Sequence, residues 1–197
     1  MAAGGIKAGA SSAPDAVDAQ LRWCLTAPLA ELVGDIRPPS KQKRAAILQW
    51  DLPEAHRTLL ATMGLPPPVT LGDIVGTKTL GLQPRVKPSA AVNGVPAYRL
   101  SEDVSYYRYV AMVGTGAVYS LSTDPKLPYT DYWNSNLGAY VECSWRWYRY
   151  RLALLAADGW ILDDRRLDAF LAYALTLDPD QPLDDGWTTF IQAVRPQ

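Results

Sequence analysis

The stretch from Val113 to Tyr150, VGTGAVYSLSTDPKLPYTDYWNSNLGAYVECSWRWYRY, constrains the fold more than any other part of the chain. Gly114 and Gly116 bracket Thr115 in a hairpin turn, and Asp124-Pro125 makes the next turn. Tyr98 to Leu100, Ser105 to Val113 and Ala117 to Ser122 read as strands, and links this short pair neighbouring strands antiparallel. Asn134 or Ser135 then caps a helix that starts near Leu137. At 100° per residue, Leu137, Tyr140, Val141, Trp145, Trp147, Tyr148, Leu152 and Leu155 form one broad apolar face. Glu142, Arg146 and Arg149 fall opposite, as a solvated arginine edge with Glu142 and Arg146 at i, i+4 spacing. A mainly antiparallel sheet with helices packed on it, an α+β domain, is the expected fold.

The remaining segments divide the chain. Residues 1–14 are small and Gly-rich and read as a disordered tail. Residues 15–50 read as a helical N-terminal extension: Val17, Leu21, Cys24 and Leu25 share a stripe, Pro38-Pro39 ends the segment, and Lys41 to Arg44 opens a further solvated helix. The α+β domain is expected over residues 51–197. Its first helix lies within Leu52 to Pro66, with Leu59, Leu60 and Met63 buried and Gly64 as the stop. From Val69 to Tyr98 the pattern is irregular, with Asn93-Gly94 as a turn. Asp163 or Asp164 caps a helix whose Leu167, Phe170, Leu171, Ala174 and Leu175 keep the cleanest helical spacing in the chain, and Trp187 to Val194 reads as a short final helix.

Composition narrows the function classes. Nineteen basic against 20 acidic side chains offer no general polyanion affinity, so no direct nucleic-acid partner is expected. The charge is uneven: residues 151–197 hold four Arg against eight Asp, an acidic end suited to a basic partner. Cys24 and Cys143 are far apart and follow no signal-like apolar run, which favours free thiols and the cytoplasm. The most apolar region, Trp145 to Leu155, carries Arg146, Arg149 and Arg151, so no membrane span is expected.

Nothing in the sequence assembles a recognisable catalytic apparatus. Gly72 to Thr79, GDIVGTKT, approaches a phosphate-binding loop, but Thr77 stands where glycine must let the backbone wrap the phosphates. His56, the only histidine, has no Asp or Cys at a spacing that would hold it and is read as a surface residue; with two scattered cysteines it gives no metal set. Asp163, Asp164, Asp178, Asp180, Asp184 and Asp185 sit in caps and turns that account for them. No catalytic residue, metal or cofactor is therefore expected, and a small enzyme built on a carboxylate pair is the least favoured alternative.

GLPPP at Gly64 to Pro68, GAVYSLS at Gly116 to Ser122, NSNLGAYVECSWRW at Asn134 to Trp147 and LDPDQPLDDGW at Leu177 to Trp187 together resemble the SUKH superfamily of bacterial immunity proteins, and within it the fourth subgroup. The likeness runs from about Leu52 to Val194; it departs at Asn136, where a second Ser is usual, and at Tyr140, where Phe is common. It implies a non-catalytic α+β domain, encoded beside a polymorphic toxin of nuclease or deaminase type, that neutralises the toxin by binding it. A scaffold subunit docking through residues 15–50 is the alternative. Tyr and Arg are enriched at protein contacts, so Tyr107, Tyr109, Tyr129, Tyr132 and Tyr150 and the acidic turns at Asp180, Asp184 and Asp185 are the candidate partner-binding residues. Strand alternation separates Tyr106 from Tyr107 and Tyr109, so at least one of these three faces the core.

Overall fold

The computed structural model describes residues 14–67, 79–80, 82, 84–103, 107–126, 128–156, 163–182 and 185–195. The tail at 1–13, the near-miss phosphate loop at 72–78, Tyr106 and Asp184 lie outside the described residues. Among the described residues four helices come first: α1 (Pro14–Thr26), α2 (Leu29–Val33), α3 (Lys41–Ile47) and α4 (Glu54–Met63). Six strands follow among the described residues, β1 (Thr79–Leu80), β2 (Ala90–Val92), β3 (Val95–Asp103), β4 (Tyr107–Met112), β5 (Val118–Ser122) and β6 (Thr130–Asn134). The chain closes with α5 (Leu137–Ala156), α6 (Asp164–Leu177) and α7 (Gly186–Val194).

The expected α+β arrangement is present. The strands run β1-β3-β4-β5-β6, with β2 also paired to β3, and every pairing is antiparallel. The β2–β3 link is the two-residue turn Asn93-Gly94, both at positive φ, which matches the twist of the strands it joins. The sequence reading missed β1, β2 and β6. The first two lie in the stretch read as irregular, and the third follows Pro128 and begins with Thr130-Asp131, which lack an apolar alternation.

Alternation along the strands sorts side chains onto two faces. Tyr98, Leu100, Ala111, Val118 and Trp133 face the helices and join the main core. Val92, Ala97 and Val110, with Met112, Tyr119 and Leu121 packed on them, form a separate cluster on the other face. The main core surrounds α5, whose buried residues Leu137, Tyr140, Val141, Cys143, Trp145, Arg146, Tyr150 and Leu154 do not share one stripe. A helix buried on so many sides is a central helix.

The N-terminal helices produce that burial. Val17, Leu21, Cys24, Val33, Ile47 and Trp50 belong to the same core cluster as α5 and the sheet. This overturns the solvated arginine edge. Arg146, 4% exposed, donates to the Cys24 carbonyl at 2.9 Å and to Glu142 at 2.6 and 3.0 Å, and it lies 4.7 Å over the Tyr173 ring. Arg149 donates to the carbonyls of Leu32 and Val33. These guanidiniums satisfy carbonyls at the ends of α1 and α2, which have no partners within the helices themselves.

His56 also departs from expectation. Its ring is partly buried where α4, the β4–β5 turn and the start of α5 meet: a Cβ on Gly116 would lie 3.3 Å from Nδ1, and one on Gly138 would lie 3.4 Å from Cδ2. Nδ1 has no hydrogen-bond partner among the described residues, and burial lowers the pKa below the ordinary 6.5. The unfolded chain therefore takes up this proton first as pH falls, so the contribution of His56 to stability is complete above about pH 6.5 and is lost below it. Urea midpoints measured from pH 7.5 to 5.5 are expected to fall more steeply for the wild type than for His56→Gln; parallel curves would remove His56 from the acid response.

Candidate partner-binding surface

Two features of the sheet's helix-side face position the candidate residues. The first is a buried polar latch between β6 and the two C-terminal helices. Asp178, fully buried, accepts from Asn134 Nδ2 at 2.9 Å, from the Ser135 backbone N–H at 2.7 Å and from Ser135 Oγ at 2.5 Å. Trp187 Nε1 donates to Asn134 Oδ1 at 3.2 Å. Asn134 and Ser135 were expected to cap α5; instead both are captured by Asp178, 44 and 43 residues away, and Asn136 Oδ1 caps the helix by accepting from Ala139 N at 2.8 Å. Asp178 thus sits in the turn read for it, with its carboxylate buried and partnered. A buried carboxylate is tolerated here because each oxygen accepts charge-assisted hydrogen bonds.

The latch also brings α7 against β6. Gly186 opens α7 at φ +53°, and a Cβ there would meet the Trp133 carbonyl oxygen at 2.6 Å and Gln181 Nε2 at 2.8 Å. Gly186→Ala is expected to destabilise by about 2 kcal/mol, from the left-handed backbone and the forced retreat of β6. Chemical denaturation measures it, and a change below 0.5 kcal/mol, the ordinary range for surface substitutions, would show that this approach is not tight.

The second feature is a rim where the sheet runs out from under the helices. Tyr107 pairs with Ser122 across β4 and β5, and the Ser122 N–H donates to the Tyr129 carbonyl at 2.9 Å. The two tyrosines stand on either side of that small serine, 40% and 45% exposed, with ring centroids 5.9 Å apart and planes at 65°. One row inward, Tyr109 pairs with Ser120 and Ser120 with Asp131. Ser101, Ser120 and Asp131 are all buried, so this part of the face is polar. The Tyr129 hydroxyl is hydrogen-bonded to Asp131, and burial, Asp131, Tyr107 and Asp185 together push its pKa up.

The remaining candidates divide. Tyr109 is partly buried, with its ring 5.0 Å from Trp133 and 5.9 Å from Tyr140, the inward-facing member that alternation requires. Tyr132 points to the opposite face, edge-on to Tyr119 at 5.3 Å, with its pKa raised chiefly by burial and then by Asp178. Asp180 is exposed in the turn after Asp178, and Asp185 immediately precedes α7, its carbonyl accepting from Gln181 Nε2. Tyr150 is a correction: it is 1% exposed and donates its hydroxyl to the Arg166 carbonyl at 2.7 Å, because α1 and α6 cover the border on which it was placed. Sequence reasoning missed Asp131, which shares its period of two with Tyr129 and Trp133 in YTDYW.

The described residues offer little reactive chemistry. Cys24 and Cys143 are buried, and burial pushes their thiols up, Cys24 to about 11. No group of three or more His, Cys, Asp or Glu converges to hold a metal among them, and none of their helices is long and apolar enough to cross a membrane.

A sequence model of the SUKH-4 immunity protein family matches residues 25–190. The match begins ahead of the expected Leu52, within α1, and takes in the helices that cover α5. No curated protein and no solved structure matches the chain.

Proposed function

The chain belongs to the SUKH-4 immunity protein family, and from that premise we propose that it binds one cognate toxin domain stoichiometrically and blocks it in the cytoplasm of the producing cell. The family implies immunity against a toxin and is generally non-catalytic; the nuclease or deaminase class of that toxin is our reading. The family match across most of the chain carries the proposal. The latch supports it, because Asn134, Ser135, Asp178 and Trp187, which lie in the motifs that resemble the family, bond to one another in the interior. They have a structural role in the fold, which leaves recognition to side chains on the surface.

We place the contact at the rim and the adjoining acidic turns: Tyr107, Tyr129, Asp180, Asp184 and Asp185, with Tyr132 reached around the β6 edge. Exposed aromatics supply contact area at low entropy cost, and an acidic border steers a basic nuclease surface. Changing Asp184 and Asp185 together to Lys is expected to weaken binding of the protein encoded beside this one by about tenfold or more, mostly through slower association. Unchanged association kinetics at low salt would sink that placement. Co-expression supplies the cellular test: the chain should restore growth to cells producing the neighbouring protein.

A further inference from the structure

We propose that Tyr107, Tyr129 and Asp131 form a receptor for a single arginine side chain of a basic protein partner. This rests on the immunity reading and names the chemistry of its central contact. The two rings meet at 65° across Ser122 and present two aromatic faces at a corner. A guanidinium over such a face is held by the ring quadrupole, and its planar shape lets it stack while its N–H groups reach sideways.

The sideways partner is present. Asp131, in β6, lies two residues after Tyr129, is 7% exposed, and is engaged by the Tyr129 hydroxyl. Among the described residues no Lys or Arg pairs with it. A buried carboxylate without a cation is costly, and this one belongs to a polar row, with Ser101 and Ser120, beside the apolar Leu100, Ala111 and Val118 of the same face. Asp185 acts on Tyr129 with the same sign as Asp131. Two exposed aromatic faces beside an acid that no described Lys or Arg neutralises fit a cation with an extended planar head, and an incoming guanidinium would pair with the carboxylate and cover both rings.

The test uses the full chain with ring-labelled tyrosines and three blocked tripeptides, Gly-Arg-Gly, Gly-Lys-Gly and Gly-citrulline-Gly; citrulline keeps the shape of arginine without its charge. Gly-Arg-Gly is expected to shift the Tyr107 and Tyr129 ring resonances, with Gly-Lys-Gly weaker and the citrulline peptide without effect. Tyr107→Ala, at an exposed position, and Asp131→Asn should each weaken the arginine peptide by about tenfold. Equal shifts from arginine and citrulline, or unchanged affinity in Tyr107→Ala, would overturn the receptor. A second arm titrates the protein encoded beside this one. If that complex forms and Tyr107→Ala leaves it untouched, the corner is not its contact and the proposal fails while immunity stands. If the arginine peptide binds and no complex forms, the immunity reading fails and the receptor stands.

Discussion

Asp178→Ala is expected to lower stability by about 4 kcal/mol, the largest loss of any change considered. The substitution removes the acceptor of three hydrogen bonds and leaves the buried Asn134 Nδ2 and the part-buried Ser135 N–H without it. Each buried donor left unsatisfied costs about 1–3 kcal/mol. For a chain of this length such a loss corresponds to a fall in Tm of about 10 °C. Asp178→Asn keeps the shape and one acceptor oxygen, and should lose about half as much. Urea unfolding with an unchanged m value measures both. A loss below 1 kcal/mol in the alanine variant would mean that the β6, α6 and α7 junction does not depend on the latch.

Arg146→Ala is expected to cost about 3 kcal/mol, where a solvated arginine on the same helix would cost less than about 0.5. The difference comes from the burial of its guanidinium between Glu142, the Cys24 carbonyl and the Tyr173 ring. Glu142 would lose its cation while retaining the Tyr173 hydroxyl. Arg146→Met, which keeps much of the volume, should recover part of the loss. Limited proteolysis provides the second readout, with cleavage within residues 14–26 appearing early in the alanine variant. Wild-type protection there would show that α1 is held without this arginine. The same packing implies that deleting residues 15–50 removes core and not only a docking arm, since Ile47 and Trp50 are buried with the sheet residues.

How far the sequence reading reached follows from the range of the interactions. Leu167, Phe170, Leu171 and Ala174 of the expected stripe sit where their spacing puts them, with Leu177 packed on the core cluster where Leu175 was expected, and Asp163 caps that helix by accepting from Arg166 N, because both are settled within one or two turns. Asn134 and Ser135 were misread because a local cap and a distant carboxylate compete for the same groups, and only the fold brings Asp178 to them. Arg146, Arg149 and Tyr150 were misread for a related reason: helical periodicity shows which face is polar but not that a second layer covers it. At the rim, Tyr107 was legible as an aromatic within a strand and Tyr129 only as an aromatic after the turn at Asp124-Pro125. Their contact with one another and with Asp131 was not, since it depends on the register that pairs Tyr107 with Ser122 and Asp131 with Ser120.

The central claim is that this SUKH-4 family member acts by occupying a toxin. Calorimetric titration of the purified chain against the protein encoded beside it, with the growth of cells producing that protein followed in parallel, tests the claim most directly. One-to-one binding in the nanomolar range, with rescue of growth by the wild type, is the predicted result. Absence of binding between two folded, purified proteins would contradict it, as would rescue that persists when binding has been abolished.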